Sequence, residues 1–170
     1  MRNTQDLAQM TLNDYLKPGD LAIDVNIKAG DITRFLSARV GDDGHVIAFS
    51  QDKVAIDSAA MSLFLSGLNA RVEFIHKAPE AIGDYLDPTE PVGVAMIQLD
   101  DSINTANLMQ AIPNLLNHLK KNGLIIVLTE HVANLADVIT YVKKLPTDSY
   151  DVQSYHDILT DEATLIVQRR

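Results

Sequence analysis

The feature that most constrains the fold of this chain is an alternation of short apolar runs with longer segments of helical period. This alternation is typical of β-α-β units, in which a helix connects each strand to the next parallel strand. Parallel strands must be covered on both faces, so the pattern predicts an α/β protein with three αβα layers. The predicted parallel strands are residues 21–25, 45–50, 71–76, 92–99 and 124–129. The final segments, YDVQSYHDI and ATLIVQRR, alternate in a way that predicts a C-terminal antiparallel pair.

Two long segments between the strands have the period of amphipathic helices, and an N-terminal helix is predicted before the KPGD turn. The segment 52–67 is predicted to end at Gly67, and the segment 103–121 to end before Asn122 and Gly123. The first segment is expected to bury a stripe formed by Ile56, Ala60, Leu63, Phe64 and Leu68. The second is expected to bury Leu108, Ile112, Leu115, Leu116 and Leu119.

Length and composition narrow the class of protein further. A chain of 170 residues with 46% hydrophobic content is expected to form a single domain over residues 1–170. Cysteine is absent, which excludes a disulfide framework, a zinc-thiolate site and a cysteine nucleophile. The N-terminal segment has polar residues throughout and is typical of neither a signal peptide nor a membrane span. We therefore expect a cytoplasmic protein with no membrane partner; a homo-oligomer is compatible with the sequence.

The formal net charge of -9 disfavours binding of nucleic acid by bulk electrostatics. The basic pairs are Lys120–Lys121, Lys143–Lys144 and Arg169–Arg170. We expect the first two pairs at the C-terminal ends of helices, where cations interact favourably with the helix dipole. Contact with RNA is the alternative role for these pairs.

The segment DVNIKAGDITRFL, residues 24–36, combines a strand that ends near an acid with a loop and a helix. With the following strand HVIAF, it resembles the opening of a Rossmann-like class I SAM-dependent methyltransferase. The whole chain resembles a branch of small rRNA methylases of Gram-positive bacteria, in which this loop has the approximate pattern D-A-T-x-G-N-G-x-D-T-x-F-L. The segments GHVIAFSQDKVAI and LLNHLKKNGLIIVL extend the resemblance over nearly the whole chain. The positions retained from the loop pattern are Asp24, Gly30, Thr33, Phe35 and Leu36.

The resemblance implies a seven-stranded sheet of order 3-2-1-4-5-7-6 and S-adenosylmethionine (SAM) as cofactor. It also implies an RNA substrate, since this branch methylates the aminomethyl group on a wobble uridine of tRNA. It identifies no catalytic residue in this chain. The cofactor-binding positions that it implies are Asp24, Asn26, Gly30, Thr33, Ser50, Gln51 and Gln98.

The first loop departs from the family pattern where the cofactor would lie closest to the backbone. Lys28 replaces the first glycine and Ala29 replaces the asparagine, so that only Gly30 remains. Glycine allows unusual dihedral angles and close approach of the backbone to the cofactor. A lysine ammonium would also repel the cationic sulfonium of SAM in a partly desolvated pocket. We expect Lys28 to turn outward and pair with Asp31 or Asp20.

The ends of the second and third strands also differ from the family. Ser50 stands where the family has an acid that accepts hydrogen bonds from both ribose hydroxyls, and serine lacks the charge for such strong bonds. Asp52 is a possible substitute, but an N-cap of the following helix is its more common role. Lys77 and Pro79 occupy positions expected near the adenine.

The fourth and fifth strands end in sequences that lack the polar loops of the family. Gln98 replaces an asparagine, and His131 is the histidine that remains after the fifth strand. Asp100 and Asp101 follow the fourth strand and are candidates for a base or a metal site, but we expect Asp101 or Ser102 to cap the next helix.

The histidines have no metal-ligand spacing, so no metal site is predicted. His76 and His131 lie at strand ends, where they can face the crevice, although solvated loop positions are the more common outcome.

Three hypotheses for function follow. The first is a divergent family member with a degraded SAM-binding loop, in which methyl transfer is weak or lost and no cofactor is needed. The second is an active SAM-dependent methyltransferase that holds its cofactor through substitute contacts. The third is an anion- or nucleotide-binding protein on the same fold, with the ligand at Lys28, where loop amides meet a helix N-terminus.

Overall fold

Seven strands form one sheet of order β3-β2-β1-β4-β5-β7-β6 in the computed structural model, which describes residues 1–170. The first five strands pair in parallel, whereas β7 is antiparallel to both β5 and β6. This arrangement confirms the predicted α/β class, the strand order and the antiparallel end of the sheet. The strands are β1 (Leu21–Val25), β2 (His45–Phe49), β3 (Val72–Ile75), β4 (Val92–Leu99), β5 (Leu119–Thr129), β6 (Tyr150–His156) and β7 (Ala163–Arg169).

The helices begin where short polar side chains accept hydrogen bonds from free backbone amides. Asn3, Asp52 and Asn104 cap the helices that follow them, so the predicted capping role of Asp52 is confirmed. The prediction that Asp101 or Ser102 caps the fourth helix is wrong, because that helix begins later, after Asn104. The helices are α1 (Thr4–Tyr15), α2 (Asp31–Val40), α3 (Lys53–Leu65), α4 (Thr105–His118) and α5 (Ala136–Val142), with 3-10 segments at Asn69–Arg71, Pro79–Tyr85 and Val132–Leu135.

The sheet lies between two layers of apolar side chains. Helices α1, α2 and α3 cover one face, and α4, α5 and the 3-10 segment Pro79–Tyr85 cover the other. From Val94 to Ile97, successive residues of β4 alternate between the two layers, which explains why this part of the strand is an unbroken apolar run. All residues of the predicted stripe of α4 are buried: Leu108, Ile112, Leu115 and Leu116 lie in the helix, whereas Leu119 is the first residue of β5.

The region between α4 and β5 differs from the prediction. Helix α4 ends at His118, and both Lys120 and Lys121 lie in β5 rather than at a helix end. The strand begins five residues before the predicted apolar run, with a register shift against β4 and with Asn122 in a left-handed conformation at φ 64°. Lys120 Nζ lies 2.7 Å from Asp20 Oδ2, and this ion pair places the lysine at the sheet rather than at a helix dipole. The expected position of the second basic pair is confirmed, because Lys143 is the C-cap of α5.

The outer side of α3 also differs from the prediction. Ile56 and Leu63 of the predicted stripe are buried, but Phe64 is 65% exposed. Ala60 and Leu68 are half-buried, and the third position of the buried stripe is Ala59. Positions 56, 59 and 63 share one helix face, and Phe64 is rotated about 100° away from Leu63. The segment is apolar on both sides, so its period alone did not identify which side faces the sheet.

No helix of the chain combines the length and the apolar character needed to cross a lipid bilayer.

Candidate functional site

The carboxyl ends of the parallel strands form the edge at which open α/β sheets bind ligands, and three cavities lie along it. We name them by their borders. The α1 cavity, of about 300 Å³, lies between helix α1 and the loop after β1 and is lined by Gln5, Gln9, Lys28, Gly30, Thr33 and Gln98, among others. The β2 cavity, of about 170 Å³, includes Asn26, Ser50, Gln51, Asp52, Lys77 and Pro79. The β5 cavity, of about 310 Å³, includes Lys28, Gln98, Asp100, Thr129, Glu130 and Glu162.

The loop after β1 is fastened to the end of β4 by two amide side chains. Asn26 has a left-handed conformation at φ 67°, which asparagine tolerates better than most residues. Its Nδ2 donates to the Gln98 carbonyl at 2.7 Å, and Gln98 Nε2 donates to the Asn26 carbonyl at 3.4 Å. The structure thus brings these two predicted site residues together, and their amide groups hold the loop against β4.

Lys28 crosses from this loop to the end of β4, where its Nζ forms an ion pair with Asp100. The prediction that Lys28 pairs with Asp31 or Asp20 was wrong, because Asp31 pairs with Arg34 at 2.9 Å and Asp20 pairs with Lys120. The loop is fastened towards β4, and that direction carries Lys28 to Asp100 and away from both expected carboxylates.

Asp100 is the acceptor on which several donors of this edge converge. It accepts from Asn26 Nδ2 at 3.2 Å and from the Ser102 amide at 2.9 Å, in addition to Lys28 and the Ser102 hydroxyl. Partial burial raises the pKa of Asp100, but the hydrogen bonds from Lys28 and Ser102 outweigh it and lower the pKa below its usual value. Lys28 borders the α1 cavity, whereas Asn26 and Ser102 border the β2 cavity. The Lys28–Asp100 pair itself lines the β5 cavity, and Asp100 contacts the β2 cavity only through Asn26 and Ser102.

Asp24 and Thr33 form a buried pair beneath the loop. Thr33 Oγ1 donates to Asp24 Oδ2 at 2.6 Å, whereas Asp24 Oδ1 is buried with no hydrogen-bond partner. Burial raises the pKa of Asp24 to about 6, against a smaller lowering by the Thr33 hydrogen bond. Asp24 is completely inaccessible to solvent, so a ligand in the α1 cavity does not reach its carboxylate in this conformation.

Gly30 is required by the packing of α2 on α3. Its φ of 90° lies in the left-handed region, and it is the N-cap of α2. A Cβ at this position would lie 3.1 Å from the Cα of Ala59 in α3. The retention of this glycine is therefore explained by the fold, with or without a cofactor.

The end of β2 carries no carboxylate in the family position. Ser50 is buried, and its Oγ accepts from the Asp52 amide at 3.0 Å. Asp52 Oδ1 accepts from the Val54 amide at 2.9 Å, which leaves Oδ2 as its oxygen without a partner in the chain. The Gln51 carbonyl lies 3.0 Å from His76 Nε2, while the Gln51 side chain is exposed. Both Ser50 and Asp52 therefore already stabilise the turn into α3.

Several polar residues at this edge were missed by the sequence analysis. Gln5 and Gln9 are four residues apart on α1 and line one side of the α1 cavity, and this spacing could have identified them. Glu130 and Glu162 flank the β5 cavity, and no sequence signal connects them because Glu130 follows β5 whereas Glu162 precedes β7. His131, which was considered for the crevice, lies 3.6 Å from Asp161, and His156 lies 3.1 Å from the same carboxylate. No group of three or more His, Asp and Glu side chains is arranged to hold a metal ion.

No protein-family profile matches this sequence. The fold is similar to that of a candidate rRNA methylase from Clostridium thermocellum, with a TM-score of 0.92, 22% identity, and coverage of 100% of this chain and 99% of that one. It is also similar to a candidate methyltransferase from Streptococcus mutans in complex with SAH, with a TM-score of 0.90, 22% identity, and the same coverage. An rRNA methylase from Streptococcus thermophilus gives a TM-score of 0.87 at 19% identity, covering 99% of this chain and 98% of that one. The chain therefore has the Rossmann-like fold of SAM-dependent methyltransferases, as the resemblance in its sequence predicts.

Proposed function

We propose that this protein is a divergent methyltransferase-fold protein that binds SAM weakly or not at all and acts through binding rather than methyl transfer. The observation that carries this proposal is the Lys28–Asp100 ion pair, which lines the β5 cavity next to the α1 cavity and contacts Asn26 and Ser102 at the border of the β2 cavity. SAM joins an adenosine to a methionine through a sulfonium, and a ligand of that length needs a continuous groove. The residues at this edge do not fit such a cofactor.

Charge, more than the strength of the ion pair, is the obstacle at Lys28. Both side chains are more than a third exposed, and pairs of this kind contribute only about 0–1 kcal/mol, so separating them is not costly. Separation would, however, leave an unpaired ammonium beside the sulfonium in a partly desolvated groove. The same side chain occupies the position at which the family has glycine.

The end of β2 supplies a second reason. A carboxylate that accepts from two ribose hydroxyls makes charge-assisted bonds, which contribute about 1.5–3 kcal/mol each. Ser50 is neutral, and its oxygen already accepts from the Asp52 amide. The loss of these bonds, added to the charge at Lys28, is expected to weaken SAM binding by several orders of magnitude.

Isothermal titration of the full chain with SAM and with SAH tests the proposal. We expect no saturable binding of SAM up to about 1 mM, which corresponds to a binding free energy weaker than about -4 kcal/mol. SAH lacks the sulfonium charge, so a detectable but weak affinity for SAH alone would agree with the charge argument. A micromolar dissociation constant for SAM would refute the proposal.

Two variants test whether Lys28 and Ser50 are the residues that weaken SAM binding. The double variant Lys28→Gly/Ser50→Asp restores the two family residues, and we expect it to gain measurable SAH binding. Lys28→Met is the matched control, because it removes the charge and keeps the length of the side chain. If the double variant folds, by circular dichroism, and binds no better than the unmodified chain, then Lys28 and Ser50 are not the determinants of the lost affinity.

An active methyltransferase is the second candidate, and the open Oδ2 of Asp52 at the β2 cavity favours it. Transfer of a methyl group depends largely on alignment of the acceptor, so the lack of an obvious base does not exclude this activity. The titration with SAM separates the two candidates. An anion-binding site at Lys28 is not supported, because the Asp100 carboxylate neutralises the ammonium.

The arrangement of the basic pairs gives no support to an RNA substrate, although two of the similar structures are of rRNA methylases or candidates for that class. Lys120 is bound to Asp20, and Arg169 Nη1 donates to the Leu119 carbonyl at 2.5 Å. Arg170 pairs with Asp151. Lys120, Arg169 and Arg170 are therefore held in structural contacts, in a chain with a net charge of -9.

A further inference from the structure

The β2 cavity contains a hydrogen-bond donor that no acceptor of the chain uses. Ser50 is 3% exposed, and its Oγ accepts from the Asp52 amide at 3.0 Å, but its hydroxyl proton has no acceptor in the chain. A buried hydroxyl normally donates as well as accepts, because a donor without a partner has lost its hydrogen bond to water. Ser50 borders the β2 cavity, so an acceptor atom of a ligand there would complete its hydrogen bonds.

Lys77 brings a positive charge to the rim of the same cavity. Its Nζ lies 5.6 Å from the centre of the Tyr85 ring, and none of the ion pairs of the chain includes it. Tyr85 in turn contacts Phe49 edge-on, with ring centres 5.5 Å apart, and Phe49 borders the cavity. A cation is attracted to an aromatic face, so the two rings position the ammonium beside the cavity.

Asp52 is the acidic residue that borders the β2 cavity. Its Oδ1 accepts from the Val54 amide at 2.9 Å, which fixes the carboxylate at the N-terminus of α3 and leaves Oδ2 without a partner in the chain. The cavity thus combines donors at Ser50 and Lys77 with one free acceptor oxygen. A ligand that matches this set carries an anionic group beside a hydroxyl group.

The position of these residues in the sheet indicates the kind of anion. In open α/β sheets that bind dinucleotides, an acid beyond the second strand accepts from a ribose 2′-hydroxyl, whereas a nearby arginine accommodates a 2′-phosphate. Here a neutral serine follows β2, and a lysine lies just beyond β3, whose Ile75 carbonyl accepts from the Ser50 amide at 3.1 Å. An acid would repel a phosphate, whereas a serine hydroxyl donates to it. The combination of Ser50 and Lys77 therefore favours a phosphorylated ribose over a free one.

The volume of the β2 cavity limits the part of a ligand that it can enclose. Its volume of about 170 Å³ is below the range of about 300–1,000 Å³ of pockets that enclose a drug-sized molecule. The cavity therefore admits a sugar with its phosphate, and not a whole dinucleotide. Neither Lys28 nor Asp100 borders it, so their ion pair does not obstruct such a ligand.

We propose that the β2 cavity binds a nucleotide through a ribose that carries a phosphate on its 2′ or 3′ oxygen. Lys77 Nζ and the Ser50 hydroxyl donate to the phosphate oxygens, and Asp52 Oδ2 accepts from the neighbouring ribose hydroxyl. This inference rests on the proposed function, because it names the class of ligand that this edge of the sheet takes in place of SAM.

Isothermal titration with adenosine 2′-monophosphate and adenosine 3′-monophosphate tests the proposal and distinguishes the two ester positions. We expect one of the two esters to bind with a dissociation constant below about 1 mM. We expect this binding to be at least about tenfold tighter than that of adenosine, adenosine 5′-monophosphate or inorganic phosphate. Binding of neither ester, or binding no tighter than that of any of these three compounds, would overturn the proposal.

Lys77→Gln removes the charge at the cavity and keeps most of the length of the side chain. We expect it to weaken binding of the favoured ester at least about tenfold, because it removes a charged donor to the phosphate. Lys121→Gln is the matched control, since it changes the net charge by the same amount at an exposed position near the start of β5, at the edge of the sheet opposite the cavities. Lys77 is also exposed, so both variants are expected to fold. Equal losses of affinity in the two variants would refute the role of Lys77.

Ser50→Asp is expected to reverse the preference between the ester and adenosine. A carboxylate repels the phosphate and accepts from free ribose hydroxyls, so this variant should lose the ester and gain affinity for adenosine. If the variant folds, by circular dichroism, and binds the ester as the unmodified chain does, the ligand lies elsewhere and the proposal is refuted. Micromolar binding of SAM would refute the proposed function, whereas absence of a preference for either ester would refute only this inference.

Discussion

Replacing Asp24 by Asn is expected to remove about 3 kcal/mol of pH dependence from the free energy of unfolding. Burial raises the pKa of this carboxyl from 3.8 to about 6, and each tenfold change in proton affinity corresponds to about 1.4 kcal/mol. The folded chain therefore binds this proton more tightly than the unfolded chain does. The stabilisation from protonation is fully present below pH 3.8 and is lost as the pH rises through about 6.

Urea unfolding of the unmodified chain and of the Asp24→Asn variant between about pH 4 and pH 7.5 measures this effect. Taking the difference between the two chains removes the contributions of the other carboxylates, several of which have lowered pKa values and therefore opposite slopes. The unmodified chain is expected to lose stability relative to Asp24→Asn as the pH rises, with most of the change between pH 4 and pH 6. A constant difference across this range would contradict the raised pKa.

Asp100→Asn is a control variant for which the expected change of stability with pH has the opposite sign. The pKa of Asp100 is lowered in the folded state, so its contribution to stability is present at neutral pH and is lost on acidification. The stability advantage of the unmodified chain over this variant should therefore shrink as the pH falls. The two variants thus separate the effect of a buried carboxyl from that of a carboxyl held by an ammonium and a serine.

Replacing Gly30 by Ala is expected to destabilise the fold by about 2–5 kcal/mol. The left-handed conformation at φ 90° costs a non-glycine residue about 1–2 kcal/mol. The added Cβ would also lie 3.1 Å from the Cα of Ala59, and crowding of this kind typically costs about 1–3 kcal/mol. The measurement is the urea midpoint of each variant at constant pH.

Gly19→Ala separates the cost of the left-handed conformation from the cost of crowding against α3. Gly19 has the same φ of 90°, but a Cβ there meets nothing within 4 Å. This variant is expected to lose only the conformational part, about 1–2 kcal/mol. Equal losses in the two variants would mean that the α2–α3 contact does not require glycine, and the retention of Gly30 would then need another explanation, such as a ligand.

The strand pattern predicted the architecture because burial on both faces leaves a strong signal in composition. The runs that became β1, β4 and β5 are mainly apolar at successive positions, with polar exceptions such as Asp24 and Gln98, and such runs are typical of central parallel strands. The limits of β5 were less predictable. Its first residues, including Lys120, are polar and pair through a register shift that local sequence does not encode.

The candidate site was predictable in its location but not in its contacts. The positions from Asp24 to Thr33 do lie at the ligand edge of the sheet, as strand order requires. The partner of Lys28 is 72 residues away, at the end of another strand, so the choice among Asp20, Asp31 and Asp100 depends on the path of the loop. The prediction that Phe64 of α3 is buried was wrong for a related reason, because the apolar residues on the outer side of this helix do not contact the core.

The ion pair between Asp20 and Lys120 has a consequence for how this sequence can change. The two side chains meet beside Gly93, where a Cβ would lie 2.7 Å from Asp20 Oδ2. Positions 20, 93 and 120 are therefore interdependent: a larger residue at 93 is acceptable only if the carboxylate moves, which separates it from the lysine. This epistasis constrains the edge of the sheet opposite the cavities, because a substitution at any one of the three positions changes what the other two can tolerate.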